Sequence, residues 1–381
     1  MPNENISRPI PSWTVQPRDT LTRSIAKRLH GLARQPCRRD PHEPDHHRGQ
    51  SIPEVDRIKV VCVADTHTAT PDVPAGDIFL HAGNLTDHGS FGELQAQIDW
   101  IRGLPHRHKV VIAGSHDVLL DAKFVATHHI KEMGPWDKKP GRTREDLEWG
   151  DVTYLEGESV TLTVELGCDT NASCGIRKGK SECLCLDNDR DRESKVVGTW
   201  LLGRSKSSSP RTRQVKIYGT PQTPGAGQRT FGFQYDGEKK DMWMGRIPPD
   251  TDILLTHGPP KFHLDQYLGC HQLLREIWRA RPGVVVFGHV HSGHGQKLMV
   301  YDSVQHWYEK ILGGSENLGA LTMLASHTIF TQLGRLLPLQ SKTEQGSDLT
   351  INSQPERQST RCINAAYRSG RTIYGATEFE I

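Results

Sequence analysis

Five short clusters of residue types that bind metals or move protons recur along this chain: Asp65-Thr66-His67, Gly83-Asn84-Leu85-Thr86-Asp87, Gly114-Ser115-His116-Asp117, His257, and Gly288-His289-Val290-His291. An Asp and a His two residues apart at the end of a strand project to one side of the turn. Both can then ligate a single borderline cation such as Mn²⁺, Fe or Zn²⁺. His289 and His291 repeat that spacing, and Gly288 permits close approach of backbone to a metal. One such pair is weak evidence, since a lone histidine is more often a satisfied core residue than a ligand. Four histidine positions in one order, with Asp65 beside them, imply a dinuclear metal site assembled from five loops.

Each cluster follows an apolar run of β character, at 58–64, 77–82, 109–113, 252–256 and 284–287. Short buried strands that deliver polar residues at their C-terminal ends are how open α/β sheets build active sites. Phe91, Leu94, Ile98, Ile101 and Leu104 repeat at helical spacing after Ser90, which predicts a crossover helix with Ser90 as its N-cap. Leu273, Leu274, Ile277 and Trp278 share one face of a second helix that leads into the strand at 284–287.

Residues 154–165 and 214–219 alternate in the β manner. Between them, 167–213 is rich in Cys, Ser, Lys, Arg and Asp and reads as an insertion in a strand-to-strand connection. Residues 1–55 lack sustained periodicity and are expected to form a flexible N-terminal extension. The segment 56–311 reads as one domain. Residues 312–381 read as a helical segment, a mobile linker and a strand-like tail. His327, Gln332 and Arg335 interrupt the apolar stretch 318–339, so a packed or interfacial helix is expected there, and any membrane contact would be made through it.

Lys+Arg at 47 against Asp+Glu at 45 leaves a formal charge of +2, so no global field argues for a nucleic-acid polymer or an anionic membrane. The N-terminal sequence has no basic-then-apolar secretory layout, which points to a reducing, cytoplasmic setting for the eight cysteines. Cys168, Cys174, Cys183 and Cys185 cluster without a Cys-x-x-Cys pair or nearby His, so free thiols fit better than a zinc knuckle.

Together the clusters resemble the calcineurin-like metallophosphoesterase family, whose pattern is D-x-H, G-D-x-x-D, G-N-H-D/E, H and G-H-x-H. The likeness runs from about 57 to 300 apart from the insertion. HAGNLTDHGSFGELQAQIDWI, VKIYGTPQTPG, LLTHGPP and FGHVHSGHG are similar to its metallophosphoesterase-domain-containing branch. The resemblance implies an α/β fold, a four-layer sandwich of two mixed β-sheets flanked by helices. It implies one or two divalent ions (Mn, Fe or Zn), with Asp65, His67 and His291 on one and His257 with His289 on the other. His116 would be the general acid, held by Asp117. The implied activity is metal-dependent hydrolysis of a small phosphoester or nucleotide by a metal-activated hydroxide.

Two positions depart from the pattern. Asn84 stands where the family has its bridging aspartate, and Ser115 where it has the asparagine of G-N-H-D. Both retain an oxygen and so remain candidate ligands. Two divalent cations about 4 Å apart repel by roughly 17 kcal/mol at an effective dielectric of 20. With Asn84 neutral, Asp65 is left as the only anionic protein ligand among the matched positions. Double occupancy is therefore expected to weaken, and a catalytically silent relative that binds metal, nucleotide or protein is the alternative function.

Overall fold

Why the sequence forms layers is visible in the side-chain alternation along its strands. The structure, a computed structural model, describes residues 19–35, 56–127, 142–166, 211–225, 231–236, 242–336 and 357–381. In chain order its elements are α1 (Leu21–Arg34), β1 (Lys59–Val63), β2 (Ile78–Ala82), α2 (Phe91–Arg102), β3 (His108–Ile112), α3 (Ala122–Thr127), β4 (Val152–Tyr154), β5 (Glu158–Glu165), β6 (Thr212–Thr220), β7 (Thr223–Gly225) and β8 (Gln234–Asp236). There follow β9 (Ile253–Thr256), α4 (His271–Ala280), β10 (Val284–Phe287), β11 (Gly295–Val300), α5 (Ser303–Leu312), α6 (Leu318–Leu336), β12 (Ser359–Asn364), β13 (Arg368–Ser369), β14 (Thr372–Ile373) and β15 (Thr377–Glu380).

One sheet has the order β15-β1-β2-β3-β4 and the other β11-β12-β10-β9-β6-β5. Both are mixed. Strands β1 to β4 run parallel with β15 antiparallel to β1, while β6, β9, β10 and β12 are parallel between antiparallel β5 and β11. Val60 and Cys62 of β1 face inward with Ile253 and Leu255 of β9 and with Val284 and Val286 of β10, forming the core between the sheets. The alternate residues turn outward: Val61 and Val63 pack with Ile101 of α2, and Leu254, Val285 and Phe287 pack with Leu273 and Ile277 of α4. The result is helix, sheet, sheet, helix, the four-layer α/β sandwich expected from the resemblance.

Helix α2 begins as its sequence dictates. Ser90 Oγ accepts from the Glu93 N–H at 3.3 Å while Glu93 Oε2 accepts from the Ser90 N–H at 3.2 Å, a reciprocal capping box. Leu94, Ile98 and Ile101 are fully buried on one face, each contributing about 1.5–3 kcal/mol. That face fixes the helix over the first sheet, and with it the loops at either end.

Three expectations are revised. The extension predicted as flexible over 1–55 contains α1, which packs on α5 and α6 through Ala26, Ala33, Val304, Ile311, Ala320 and Leu324. Its buried face is built from alanines, with an Arg23–Glu316 ion pair at 2.7 Å and an Arg34–Asp302 pair at 2.6 Å, so a search for large apolar residues passes over it. The tail placed with 312–381 is not separable from the domain: β12 lies between β10 and β11, and β15 flanks β1. Finally, Thr212 and Arg213 belong to β6, where they pair with Glu165 and Val164.

The rest of the segment 167–213, with Cys168, Cys174, Cys183 and Cys185, lies outside the described residues. So do residues 1–18, 36–55 and 337–356. Helix α6 packs through Ala320 and Leu324 and leaves Leu318 and Phe330 exposed. Among the described residues, no helix is long and apolar enough to cross a membrane.

Candidate metal centre

The loops leaving β1, β2, β3, β9 and β10 converge at one edge of the two sheets. Asp65, directly after the bridge residue Ala64, is fully buried, and its Oδ2 accepts from the His289 N–H at 2.8 Å. His291 Nε2 stands 3.5 Å from Asp65 Oδ1. Asp65, His67 and His291 each offer a ligand atom, and these atoms lie within 4.8 Å of one another. His67 is oriented from behind by Asp87, whose Oδ1 is 3.1 Å from its Nδ1. A carboxylate in that place fixes the ring and raises its basicity toward a cation.

On the other side, His257 Nδ1 donates to the Ala82 carbonyl at 2.8 Å, and the His257 and His289 rings lie 5.1 Å apart. Among the described residues, His257 Nε2 is buried without a hydrogen-bond partner. An orphaned imidazole nitrogen in a buried site costs free energy unless something accepts its lone pair, and a divalent cation does. The donor set therefore fits a borderline divalent metal, best at Asp65, His67 and His291.

Asn84 stands between the two halves. Its Nδ2 donates to Asp65 Oδ1 at 2.9 Å, while its Oδ1 accepts from the His116 N–H at 2.9 Å and from Ser115 Oγ at 3.4 Å. The two departures from the family pattern are thus bonded to each other, and the Asn84 amide is engaged at both ends.

Several of these residues sit in the left-handed backbone region: Asp65 at φ 55°, His67 at 48°, Asn84 at 54° and His289 at 65°. Such conformations cost on the order of 1–3 kcal/mol each, and hold only when their surroundings over-determine them. Here the loops interlock. Gly83 and Gly114 pass so close that a Cβ on Gly114 would lie 2.2 Å from the Asn84 nitrogen, and one on Gly288 would lie 2.5 Å from Asp65 Oδ2.

His116 Nδ1 bonds the Asp87 carbonyl oxygen at 2.7 Å, so Asp117 does not hold the ring, contrary to the expectation from the sequence. Fully buried Asp117 instead accepts from the Gly114 N–H (2.7 Å), the Leu85 N–H (3.1 Å), the Thr86 N–H (3.0 Å) and Thr86 Oγ1 (2.7 Å). It ties the loop after β2 to the loop after β3. The geometry is that of a short chain turned at 114–117, where a side chain following His116 points back into the protein.

The electrostatics follow from burial. Burial pushes the Asp65 carboxyl up, but the His291 hydrogen bond and the surrounding imidazoles prevail and hold it well below the usual carboxylate range. Burial depresses His257 to about 3 and lowers His289 and His67. The hydrogen bond with Asp65 raises His291. Burial pushes the Asp117 carboxyl up against the pull of its four donors. Neutral His67, His257 and His289 beside an ionised Asp65 are the protonation states a cation needs, while His291 would give up its proton on binding one.

Sequence reasoning passed over three residues that shape the centre. His81, buried in β2 and depressed by burial to about 3, accepts from the Gly83 N–H at 3.2 Å and pairs with Thr66 Oγ1 at 3.0 Å. It props both ligand loops from the interior of a strand, where a histidine carries no spacing signal. Asn364 Nδ2 donates to the Val290 carbonyl at 2.9 Å, fixing the loop of His289 and His291; the polar end of the apolar run at 362–364 was its signal. Phe231, partly exposed, stacks at a tilt 5.0 Å from His116.

The calcineurin-like phosphoesterase profile matches residues 44–293, most of the chain. This protein belongs to the calcineurin-like phosphoesterase family. It is 30% identical over 246 residues to metallophosphoesterase domain-containing protein 1 of Homo sapiens, covering 62% of this chain and 61% of that one. It is 34% identical over 270 residues to a protein of Emericella nidulans named probable rhamnogalacturonate lyase C, covering 70% of this chain but 20% of that protein. The chain thus spans less than two thirds of either relative. A solved structure of phosphopantetheinyl hydrolase from Mycobacterium tuberculosis matches over 64% of this chain and 86% of that one at 12% identity, with a TM-score of 0.33.

Proposed function

We propose that this protein is a metal-dependent phosphoester hydrolase that works with one well-built cation position and one weakened one. The observation that carries this reading is the triad of Asp65, His67 and His291, set beside His116 with its ring 4.8 Å from that of His67. A divalent cation held by the triad supplies Lewis-acid polarisation of a phosphoryl oxygen and an activated water. His116 acts from the flank. Its Nδ1–H donates to the Asp87 carbonyl, so Nε2 is the nitrogen left to pass a proton to the leaving oxygen, which it does from the doubly protonated ring. Asp87 serves both rings, through its carboxylate to His67 and its carbonyl to His116. The substrate is a small phosphoester or nucleotide.

The second position is weakened by Asn84 and Ser115. A neutral amide that donates to Asp65 adds no charge against a second cation. That same hydrogen bond favours the second reading, a silent relative that binds metal or nucleotide without turnover. Mn²⁺-dependent hydrolysis of an aryl phosphodiester, measured with metal stoichiometry, separates the two. Turnover by the natural chain that His116→Ala abolishes supports the hydrolase. An inert natural chain, set against an active Asn84→Asp/Ser115→Asn variant, overturns it in favour of binding.

A further inference from the structure

An arginine is carried beside the turn that begins at His291 by a part of the chain beyond the residues that match the family profile. The segment after β12 turns back as the hairpin of β13 and β14. It is pinned to the site at both flanks. Ala366 bridges Ala64, and the Tyr367 N–H donates to the Ala64 carbonyl at 2.7 Å, one residue before Asp65. His294, three residues after His291, bonds the Ala366 carbonyl through Nδ1 at 3.0 Å and stacks on Tyr374 with ring centroids 4.2 Å apart and planes 1° from parallel. Strand β13 packs on the 3-10 turn His291–Gly293. Its first residue, Arg368, is half-buried.

Among the described residues, the Arg368 side chain makes no hydrogen bond and no ion pair, while its backbone is paired with Ile373 in the hairpin. Most cationic side chains with no partner belong to a solvated face. This one is set beside a cluster built to hold a dication, where positive charge is unfavourable unless an anion lies between them. A guanidinium is also the side chain whose planar fork matches phosphoryl oxygens.

We propose that Arg368 is a substrate-binding residue of this centre, a guanidinium that the C-terminal hairpin presents to the non-bridging oxygens of the phosphoryl group. It takes over there part of the charge neutralisation that Asn84 and Ser115 withhold from a second cation. The assignment rests on the metal-dependent phosphoester reading of the same site. The ligand chemistry it names is a phosphoryl oxyanion, whether carried by an ester or by inorganic phosphate.

The test is calorimetric titration of inorganic phosphate into the Mn²⁺-loaded full chain, comparing the natural protein, Arg368→Ala, Arg368→Lys and Arg371→Ala, with Mn²⁺ stoichiometry measured in each. Arg368→Ala is expected to bind Mn²⁺ as before and to lose about tenfold or more in phosphate affinity. Arg368→Lys should recover part of that loss, and Arg371→Ala, at an exposed arginine of the same hairpin, should bind phosphate as tightly as the natural chain. Wild-type phosphate affinity in Arg368→Ala, or no phosphate binding by the Mn²⁺-loaded natural chain, overturns the assignment. If Arg368→Ala alters folding, Arg368→Lys decides, since undiminished affinity in Arg368→Lys with no dependence on salt also overturns it. Aryl phosphodiester turnover is read separately. Absent turnover with Arg368-dependent phosphate binding sinks the hydrolase reading and leaves the arginine in place. Turnover that Arg368→Ala slows through KM, with kcat held, supports both.

Discussion

Asn84 Nδ2 donates to Asp65 Oδ1 at 2.9 Å, so the two residues at the centre of the site are joined by a hydrogen bond where the family pattern has two carboxylates. The bond satisfies Asp65 without a cation. It also separates the two halves of the centre: Asp65, His67 and His291 keep an anionic ligand, while His257 and His289 gain no second carboxylate from position 84.

Asn84→Asp should reverse that balance. Two carboxylates in contact repel, so the metal-free variant should melt below the natural chain, and Mn²⁺ should raise its melting temperature by more. Bound Mn²⁺ should rise from about one to about two per chain. Equal stoichiometry in the two proteins would show that the amide is no obstacle to the second cation.

Asp117 should prove structural. Asp117→Ala strands the Gly114, Leu85 and Thr86 N–H donors in a buried site and should cost about 3 kcal/mol or more in denaturant unfolding. A loss under 1 kcal/mol would return Asp117 to a direct role in the chemistry.

His116→Ala should lower kcat by about 10²–10⁴ and leave Mn²⁺ stoichiometry unchanged. Loss of metal along with activity would make His116 a ligand and not a proton donor.

Acid should destabilise the metal-free protein over a defined window. His81 and His257 are held near 3 in the folded chain against an ordinary 6.5, so between those values the unfolded state binds more protons and stability rises with pH. Their contribution is complete above 6.5 and is lost as pH falls through 3. Asp65, held below its ordinary range, acts in the same direction at the acid end. His291, raised by Asp65, runs the other way, and its contribution fades as pH rises past 6.5. Denaturant unfolding that is flat from pH 6.5 to 4 would contradict these assignments.

The hairpin of β5 and β6 should tolerate loss of what it carries. Leu166 N–H donates to the Arg211 carbonyl at 2.8 Å, so residues 167–210 enter and leave the fold at one fastened point. Replacing them with a turn of about four residues should stabilise the protein by about 2 kcal/mol, since closure cost falls by roughly 0.6 kcal/mol with each halving of loop length. Impaired Mn²⁺ binding in that variant would show that the removed stretch reaches the site.

Most of the scaffold was legible because strands buried on both faces leave unbroken apolar runs, as at 58–64 and 284–287, and polar ligands mark where they end. The crossover helix announced itself through Ser90, Glu93 and the spacing of Leu94, Ile98 and Ile101. Helix α1 was missed since its contacts are alanines and ion pairs, and the tail was expected to be strand-like but not to join both sheets, since a four- to six-residue strand says nothing of which sheet it enters. Within the site, residue identity pointed to the ligands but not to bond direction. Nothing in the order His116-Asp117 reveals that the carboxylate turns inward while the Asp87 backbone holds the ring.

The insertion of β12 between β10 and β11 has a bearing on how the molecule is made. During synthesis the ribosome delivers β11 more than fifty residues before the strand that must join it to the sheet, and β1 waits over three hundred residues for β15. Until residues 359–380 emerge, β10 and β1 each present an open edge of hydrogen-bonding groups, and the loop carrying His289 and His291 lacks the Asn364 amide that fixes it. The nascent chain thus holds an unfinished metal centre that becomes competent only as its described strands are completed.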